Sequence, residues 1–229
     1  KCYILYIINQ GTRNRTPPKI MKNKMNQTIN WKEQSFRYAK SISKSESDDN
    51  QIFEKYFSFF SNKKIKNMLD VGCGNGDSLN DFLKYKKIKK FGIETSTQTI
   101  NLCKKRHKNI NFKKGFCHNL PFPDNKFDLV NIASVLHWID RNHYLQSLGE
   151  LIRVTNKFLM VMDFFPKTEH RTKYKHKKGF FTYKTDFDKI LSSSGYLKKK
   201  FELNYFIDEK TKKFIFKNNI EDIIHQRKM

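Results

Sequence analysis

No apolar run in the 229 residues is long enough to cross a membrane as a helix. The longest is the six residues Tyr3–Ile8, against the ~20 that a spanning helix needs. Cysteine is scarce. Cys2, Cys73, Cys103 and Cys117 form no C-x-x-C pair and no dense framework of the kind that staples small secreted domains, so reduced thiols in a cytoplasmic protein are expected. Arginine is scarce too: 8 Arg stand against 38 Lys, beside 21 Asn and 21 Ile. Lys, Asn and Ile are the residues of A/T-rich codons, and the bidentate contacts favoured for phosphate recognition need Arg. Acidic residues are few, leaving a net charge of +24, but that charge is spread: +9 over residues 1–66, +6 over 67–163 and +9 over 164–229. Solubility accounts for such a distribution, and an anionic partner is the alternative. Disorder is excluded by the 38% hydrophobic and 14% aromatic content, with 21 Phe.

Residues 1–25 hold a short apolar stretch, then a polar segment with Pro17-Pro18, and lack the long apolar region and small-residue cleavage site of a signal peptide. They are expected to be a non-native or disordered leader, with Met21 or Met25 as a start. Residues 26–62 read as a helical cap of two short helices. Trp31, Phe36, Tyr38 and Ala39 mark the first; Asp48-Asp49-Asn50 opens the second, with Ile52, Phe53, Tyr56, Phe57 and Phe60 at helical spacing.

From residue 63 the pattern alternates. Strands are expected at 66–71, 90–94, 110–113, 127–133 and 158–164, with helices at 77–85, 97–107, 143–154 and 185–194. Short strands separated by helices imply βαβ units and a parallel sheet. Residues 199–207 and 213–217 read as a closing antiparallel hairpin.

The segment Met68-Leu-Asp-Val-Gly-Cys-Gly-Asn-Gly76 is an apolar strand carrying Asp70, then glycines at 72, 74 and 76. Glycines there let the backbone approach a ligand with no Cβ in the way. A dinucleotide fingerprint would need a third glycine at position 77, which is Asp77, and an acid at a helix start is a poor seat for a pyrophosphate. No G-x-x-x-x-G-K-[ST] occurs. Glu94 ends the second strand, 20 residues past Gly74, where a carboxylate can accept both hydroxyls of a ribose.

Together with Phe91-Gly-Ile-Glu-Thr-Ser96 and Asn119-Leu-Pro-Phe-Pro-Asp-Asn-Lys-Phe-Asp-Leu-Val130, this segment resembles the class I S-adenosylmethionine-dependent methyltransferases, most of all those acting on small molecules. The resemblance runs from about Asn67 to Phe164. It implies an α/β, Rossmann-like fold with a mostly parallel seven-stranded sheet and one reversed strand at its edge. It also implies S-adenosylmethionine as cofactor, its methionine end near Asp70 and Gly72 and its ribose on Glu94. The cofactor-binding set is then Asp70, Gly72, Cys73, Gly74, Asn75, Gly76, Glu94, Thr95, Phe116, Cys117 and Ala133. The family often has Gly-Asp-Ala-Glu before Leu-Pro-Phe, whereas this chain has Gly115-Phe-Cys-His118. Phe116 thus replaces the acid for the adenine amino group; its ring can flank adenine, and the Cys117 backbone N–H can still bind a ring nitrogen.

Strand four ends Asn131-Ile-Ala-Ser134, without the Asn-Pro-Pro-Tyr of amino methyltransferases on bases or amides, and there is no Pro-Cys nucleophile. His137, just beyond that strand, is the candidate base; His118 is a lesser one. The stretch Lys167–Lys178 concentrates five Lys with Arg171, His170 and His176 in what reads as a loop. Arg171, Lys173, Lys175 and Lys177 are candidates for clamping an anionic acceptor, and a solvated loop is the alternative. The expected function is methyl transfer to a small, anionic metabolite. The other readings are an RNA or protein methyltransferase, or a silent cofactor-binding module.

Overall fold

A computed structural model describes residues 58–82, 87–164, 166, 168–174, 178–207 and 214–227. The leader and nearly all of the expected cap lie outside these residues, as do Lys175 and Lys177.

Five parallel strands come first: β1 (Asn67–Val71), β2 (Lys89–Glu94), β3 (Asn111–Lys114), β4 (Phe127–Ala133) and β5 (Thr155–Asp163). Between them run helices α1 (Asp77–Asp81), α2 (Thr97–Arg106) and α3 (Tyr144–Val154), and a single 3₁₀ turn at Leu136–Trp138. A two-stranded antiparallel unit follows, β6 (His170–Lys173) with β7 (Phe181–Lys184), then α4 (Phe187–Ser193) and the long pair β8 (Leu197–Ile207) and β9 (Phe214–Arg227). The main sheet has seven strands in the order β3-β2-β1-β4-β5-β9-β8.

The central strands are buried on both faces, as expected of a parallel sheet covered by helices. Alternation along each strand feeds two separate cores. Met68, Leu129, Phe158 and Met160 enter one core with Phe60, Phe82 and Phe112; Leu69, Val71, Val130, Leu159 and Val161 enter the other with Leu148, Leu151 and Leu191. In the first core Phe60 meets Phe158 edge to face at 5.6 Å, and Phe59 meets Phe201 at 5.3 Å. Helix starts are set locally. The Ser96 hydroxyl accepts from Thr99 N at 3.2 Å to open α2, and Asp186 accepts from Lys189 N at 3.0 Å to open α4. Arg153 fastens residues 120–124 to α3 by donating to Leu120 O, Phe122 O, Asp124 and Glu150.

Three expectations change. Strand β5 starts at Thr155, directly from α3, because the Thr155 hydroxyl donates to Leu151 O at 2.6 Å while its backbone is already extended. The basic stretch is a strand rather than a loop over His170–Lys173, since it pairs with Phe181–Lys184. The reversed strand is next to the edge, not at it: β9 runs antiparallel to β5 and separates it from β8. The second strand of the closing hairpin is longer than its sequence suggests and turns back into the gap beside β5.

Candidate functional site

In a sheet of this kind, ligands sit beyond the carboxyl ends of the parallel strands. Asp70 and the glycine loop follow β1, Glu94 and Thr95 end β2, Ala133 and His137 end β4, and Asp163 ends β5. These strands are neighbours in the order β2-β1-β4-β5, so one end of the sheet gathers residues spread over 94 positions of sequence.

The loop after β1 turns back on itself. Gly72 N and Cys73 N both donate to Ile93 O, at 2.8 and 3.0 Å, and Gly72, Gly74 and Gly76 all have positive φ. Two of these glycines answer to the protein's own packing. A Cβ on Gly72 would stand 2.4 Å from Val135 Cγ2, and one on Gly76 would stand 2.9 Å from Phe112 Cζ. Gly74 is different: at φ +53° its Cβ would meet nothing within 4 Å. Nothing among the described residues fills the space beside it. Asn75 is buried, and its amide is engaged with Asp77 Oδ2 at 2.8 Å while its Oδ1 accepts from Asp77 N at 3.1 Å. Asp77 in turn meets His107 Nε2 at 3.0 Å and Arg106 at 3.5 Å.

Cys73 points into the core rather than toward the open side, and Cys103 Sγ donates to Gly74 O at 3.1 Å beside it. The Cys103 thiol as hydrogen-bond partner, followed by burial, pushes the Cys73 thiol well above its ordinary value, which makes it an inert packing residue. Cys117 is likewise a core side chain, pushed up to about 12 chiefly by burial, which leaves only its backbone for a ligand.

Asp70, Glu94 and Asp163 are buried carboxylates at this end of the sheet. Asp70 accepts from Asn131 Nδ2 at 2.7 Å, yet burial pushes it up to about 7, with Glu94 adding repulsion and the Asn131 bond opposing. The other amide atom, Asn131 Oδ1, is buried without a hydrogen-bond partner. Glu94, only 5% exposed, uses Oε1 to accept from Thr95 N (2.6 Å), Thr95 Oγ1 (3.0 Å) and Ser96 N (3.1 Å), which pins its carboxylate at the strand end. Phe116 is partly buried and stacks on the His118 ring at 5.3 Å; His118 meets His143 at 4.4 Å, and His143 Nδ1 lies 2.8 Å from Asp140. Burial first, then His143, lowers the His118 pKa.

His137 sits in the 3₁₀ turn, 5% exposed, with Nδ1 2.8 Å from Asp163 Oδ1; its backbone N–H donates to Asp163 Oδ2 at 3.3 Å. Trp138 and Phe164 flank the ring, each at 4.9 Å. Asp163 was not among the residues picked from sequence, although an acid closing the apolar run of β5 at the carboxyl end of a parallel strand is a readable signal. Arg171 and Lys173 lie on β6, both exposed, and the Arg171 guanidinium rests on the Phe181 ring at 4.7 Å. The β6–β7 unit reaches the His137 turn through Tyr174, whose ring meets Trp138 edge to face at 4.8 Å.

Among the described residues there is no cluster of three metal-ligating side chains, and no helix is long and apolar enough to cross a membrane. Residues 68–157 match a family model described as a methyltransferase domain. Over 105 residues the chain is 36% identical to an uncharacterized methyltransferase of Schizosaccharomyces pombe, covering 41% of this chain and 37% of that one. Over 98 residues it is 30% identical to a fatty-acid O-methyltransferase of Mycolicibacterium smegmatis, covering 41% of this chain and 36% of that one. The chain thus spans little more than a third of the length of these curated relatives. Among solved structures, the 1,6-didemethyltoxoflavin-N1-methyltransferase of Burkholderia thailandensis superposes with a TM-score of 0.65 at 10% identity, covering 89% of this chain and 88% of that one.

Proposed function

The chain carries a class I S-adenosylmethionine-dependent methyltransferase domain, and from that premise we propose that it transfers a methyl group to a small, anionic acceptor. The observation that carries this reading is the set of groups at one end of the sheet: a glycine loop open at Gly74, a fixed buried Glu94, and a His137–Asp163 pair one strand further on. The residues suit the cofactor. Glu94 would take its ribose, the Gly72–Gly76 backbone and Asp70 its methionine end, Asn131 Oδ1 a remaining donor, and the Phe116 ring and Cys117 backbone its adenine. Asn75, Thr95 and Cys73 would serve through backbone and loop shape, and Ala133 as a small wall. When bound, the cofactor supplies a methyl group already activated on a sulfonium.

The protein's own chemistry is then to position the acceptor and handle its proton. Asp163 at Nδ1 of His137 holds the ring in the tautomer that leaves Nε2 as the base, the arrangement by which a buried carboxylate orients a catalytic imidazole. Nε2 would accept the proton of a hydroxyl or amine acceptor; a carboxylate acceptor would need no base. Arg171 and Lys173, with Lys175 and Lys177 beyond the described residues, would hold the acceptor's anionic end. A fatty-acid O-methyltransferase among the relatives supports an acid as acceptor.

The test is transfer of tritiated methyl from S-adenosylmethionine into metabolites extracted from a cell lysate. Label entering small acidic metabolites supports the reading. Label entering RNA or protein instead, or cofactor binding with no transfer at all, refutes it in favour of a macromolecular substrate or a silent module.

A further inference from the structure

The two faces of the β6–β7 unit carry different cations. In its register His170 opposes Lys184, Arg171 opposes Tyr183, and Lys173 opposes Phe181. Side chains alternate across such a pair, so Arg171 and Lys173 share a face with Tyr183 and Phe181, while Lys184 belongs to the other. Lys184 reaches the candidate base through one shared ring. Its Nζ lies 2.7 Å from the centroid of the Phe164 ring, and that ring is packed edge-on against His137 at 4.9 Å.

Lys184 is partly buried, and among the described residues its ammonium has no carboxylate within ion-pairing distance. Asp163 is close enough to attract it but is already engaged. Its Oδ1 accepts from His137 Nδ1 at 2.8 Å and from Phe164 N at 2.7 Å, and its Oδ2 accepts from His137 N. Burial consequently pulls the Lys184 pKa down to about 8, and the attraction of Asp163 only partly opposes this. A half-buried cation with no carboxylate of its own among the described residues carries a desolvation cost, and the Phe164 ring face offsets only part of it.

We propose that Lys184 is the anion contact of the acceptor pocket, its ammonium receiving a carboxylate or phosphate oxygen of the acceptor beside His137. The assignment rests on the methyltransferase reading above and deepens it by moving the contact with the anionic end from Arg171 and Lys173, on the other face of the β6–β7 unit, to Lys184.

The two ideas are separable in one set of titrations. Calorimetry with S-adenosylhomocysteine first compares wild type, Lys184→Gln, Lys184→Arg and Lys105→Gln, the last removing one exposed charge from the end of α2. All four should bind it alike, and failure of the wild type to bind it refutes the methyltransferase reading itself. The saturated complexes are then titrated with benzoate, octanoate and phenyl phosphate; the carboxylate and phosphate arms tell the two sources of charge apart. At least one should bind the wild type. Its Kd should rise about tenfold or more in Lys184→Gln, since a charge-assisted bond is lost. It should stay within about threefold in Lys184→Arg, which keeps the charge, and in Lys105→Gln. Equal affinity in wild type and Lys184→Gln, or no binding of any of the three anions to the saturated wild type, overturns the assignment.

Discussion

Replacing Glu94 by Gln separates the turn its carboxylate fixes from the ribose contact proposed for it. In the protein, Oε1 accepts three hydrogen bonds from Thr95 and Ser96, which fix the turn leading into α2. A Gln carbonyl oxygen in the same place keeps those bonds, so folding should change little. The melting temperature should stay within a few degrees, since about 1 kcal/mol corresponds to ~2–4 °C for a chain of this size. The cofactor ribose would feel the change fully. Two hydroxyls that donate to a carboxylate make bonds worth about 1.5–3 kcal/mol each, against about 0.5–1.5 for neutral pairs. The amide also turns one acceptor into a donor. The loss is therefore about 2 kcal/mol, or a Kd for S-adenosylhomocysteine raised roughly 30-fold. Glu94→Ala should lose about 2–3 kcal/mol of affinity and also destabilise the fold, because the buried Ser96 N–H is left without its acceptor. Calorimetry gives the affinities and thermal melts the stabilities. A Gln variant that binds within twofold of wild type would refute the ribose assignment. One that binds weakly only because it has partly unfolded would refute the separation.

Gly72→Ala should lower stability by about 2–5 kcal/mol, combining the strain of a Cβ at positive φ with overlap onto Val135. Adding Val135→Ala should restore part of it in thermal melts, and an unchanged melt for the single variant would contradict the overlap. Asp70, raised in the folded protein to about 7 from an ordinary 3.8, binds a proton that the unfolded chain has already released. The unliganded protein should thus lose stability as pH rises from about 4 to 7 and level off above. A cationic amino group placed at Asp70 favours the charged carboxylate, so binding of S-adenosylhomocysteine should release protons below pH 7. Asp70→Asn should flatten both dependences; proton release unchanged in that variant would move the effect elsewhere. Asp188 is held down to about 2, first by its hydrogen bond from the buried His225 and then, against burial, by Lys199. Its contribution to stability should be full above pH 4 and vanish as pH falls toward 2, and acid denaturation of Asp188→Asn should lack that phase.

Much of this architecture was written in local chemistry. The five parallel strands and three intervening helices followed from short apolar runs alternating with helical stretches, the first run ending at Gly72. The glycine loop and Glu94 stand where the sequence placed them, at the ends of β1 and β2. What was hidden depends on pairing across long distances. Nothing local in Phe214–Arg227 tells that β9 inserts between β5 and β8, because either side of the hairpin presents the same alternating pattern. The basic stretch at His170–Lys173 looks like solvated loop until Phe181–Lys184 is found opposite it. Asp163 escaped notice because its role exists only through His137, 26 residues earlier in sequence. Lys184, one lysine among 38, is distinguished only by where the fold places it, half-buried over the Phe164 ring. Cys73 and Cys117 sit in the expected segments, but the loop turns their side chains inward.

The central claim is that the cofactor lies against the backbone of the loop after β1, where the protein leaves room at Gly74. Calorimetric titration of S-adenosylhomocysteine into wild type and Gly74→Val tests it most directly. The new side chain meets no protein atom near its Cβ, so the variant should stay folded, losing about 1–2 kcal/mol for a branched residue at positive φ. Wild type should bind with one-to-one stoichiometry, and Gly74→Val, folded by circular dichroism, should show no binding heat. A folded variant that binds as tightly as wild type, or a wild-type protein that binds nothing, would contradict the claim.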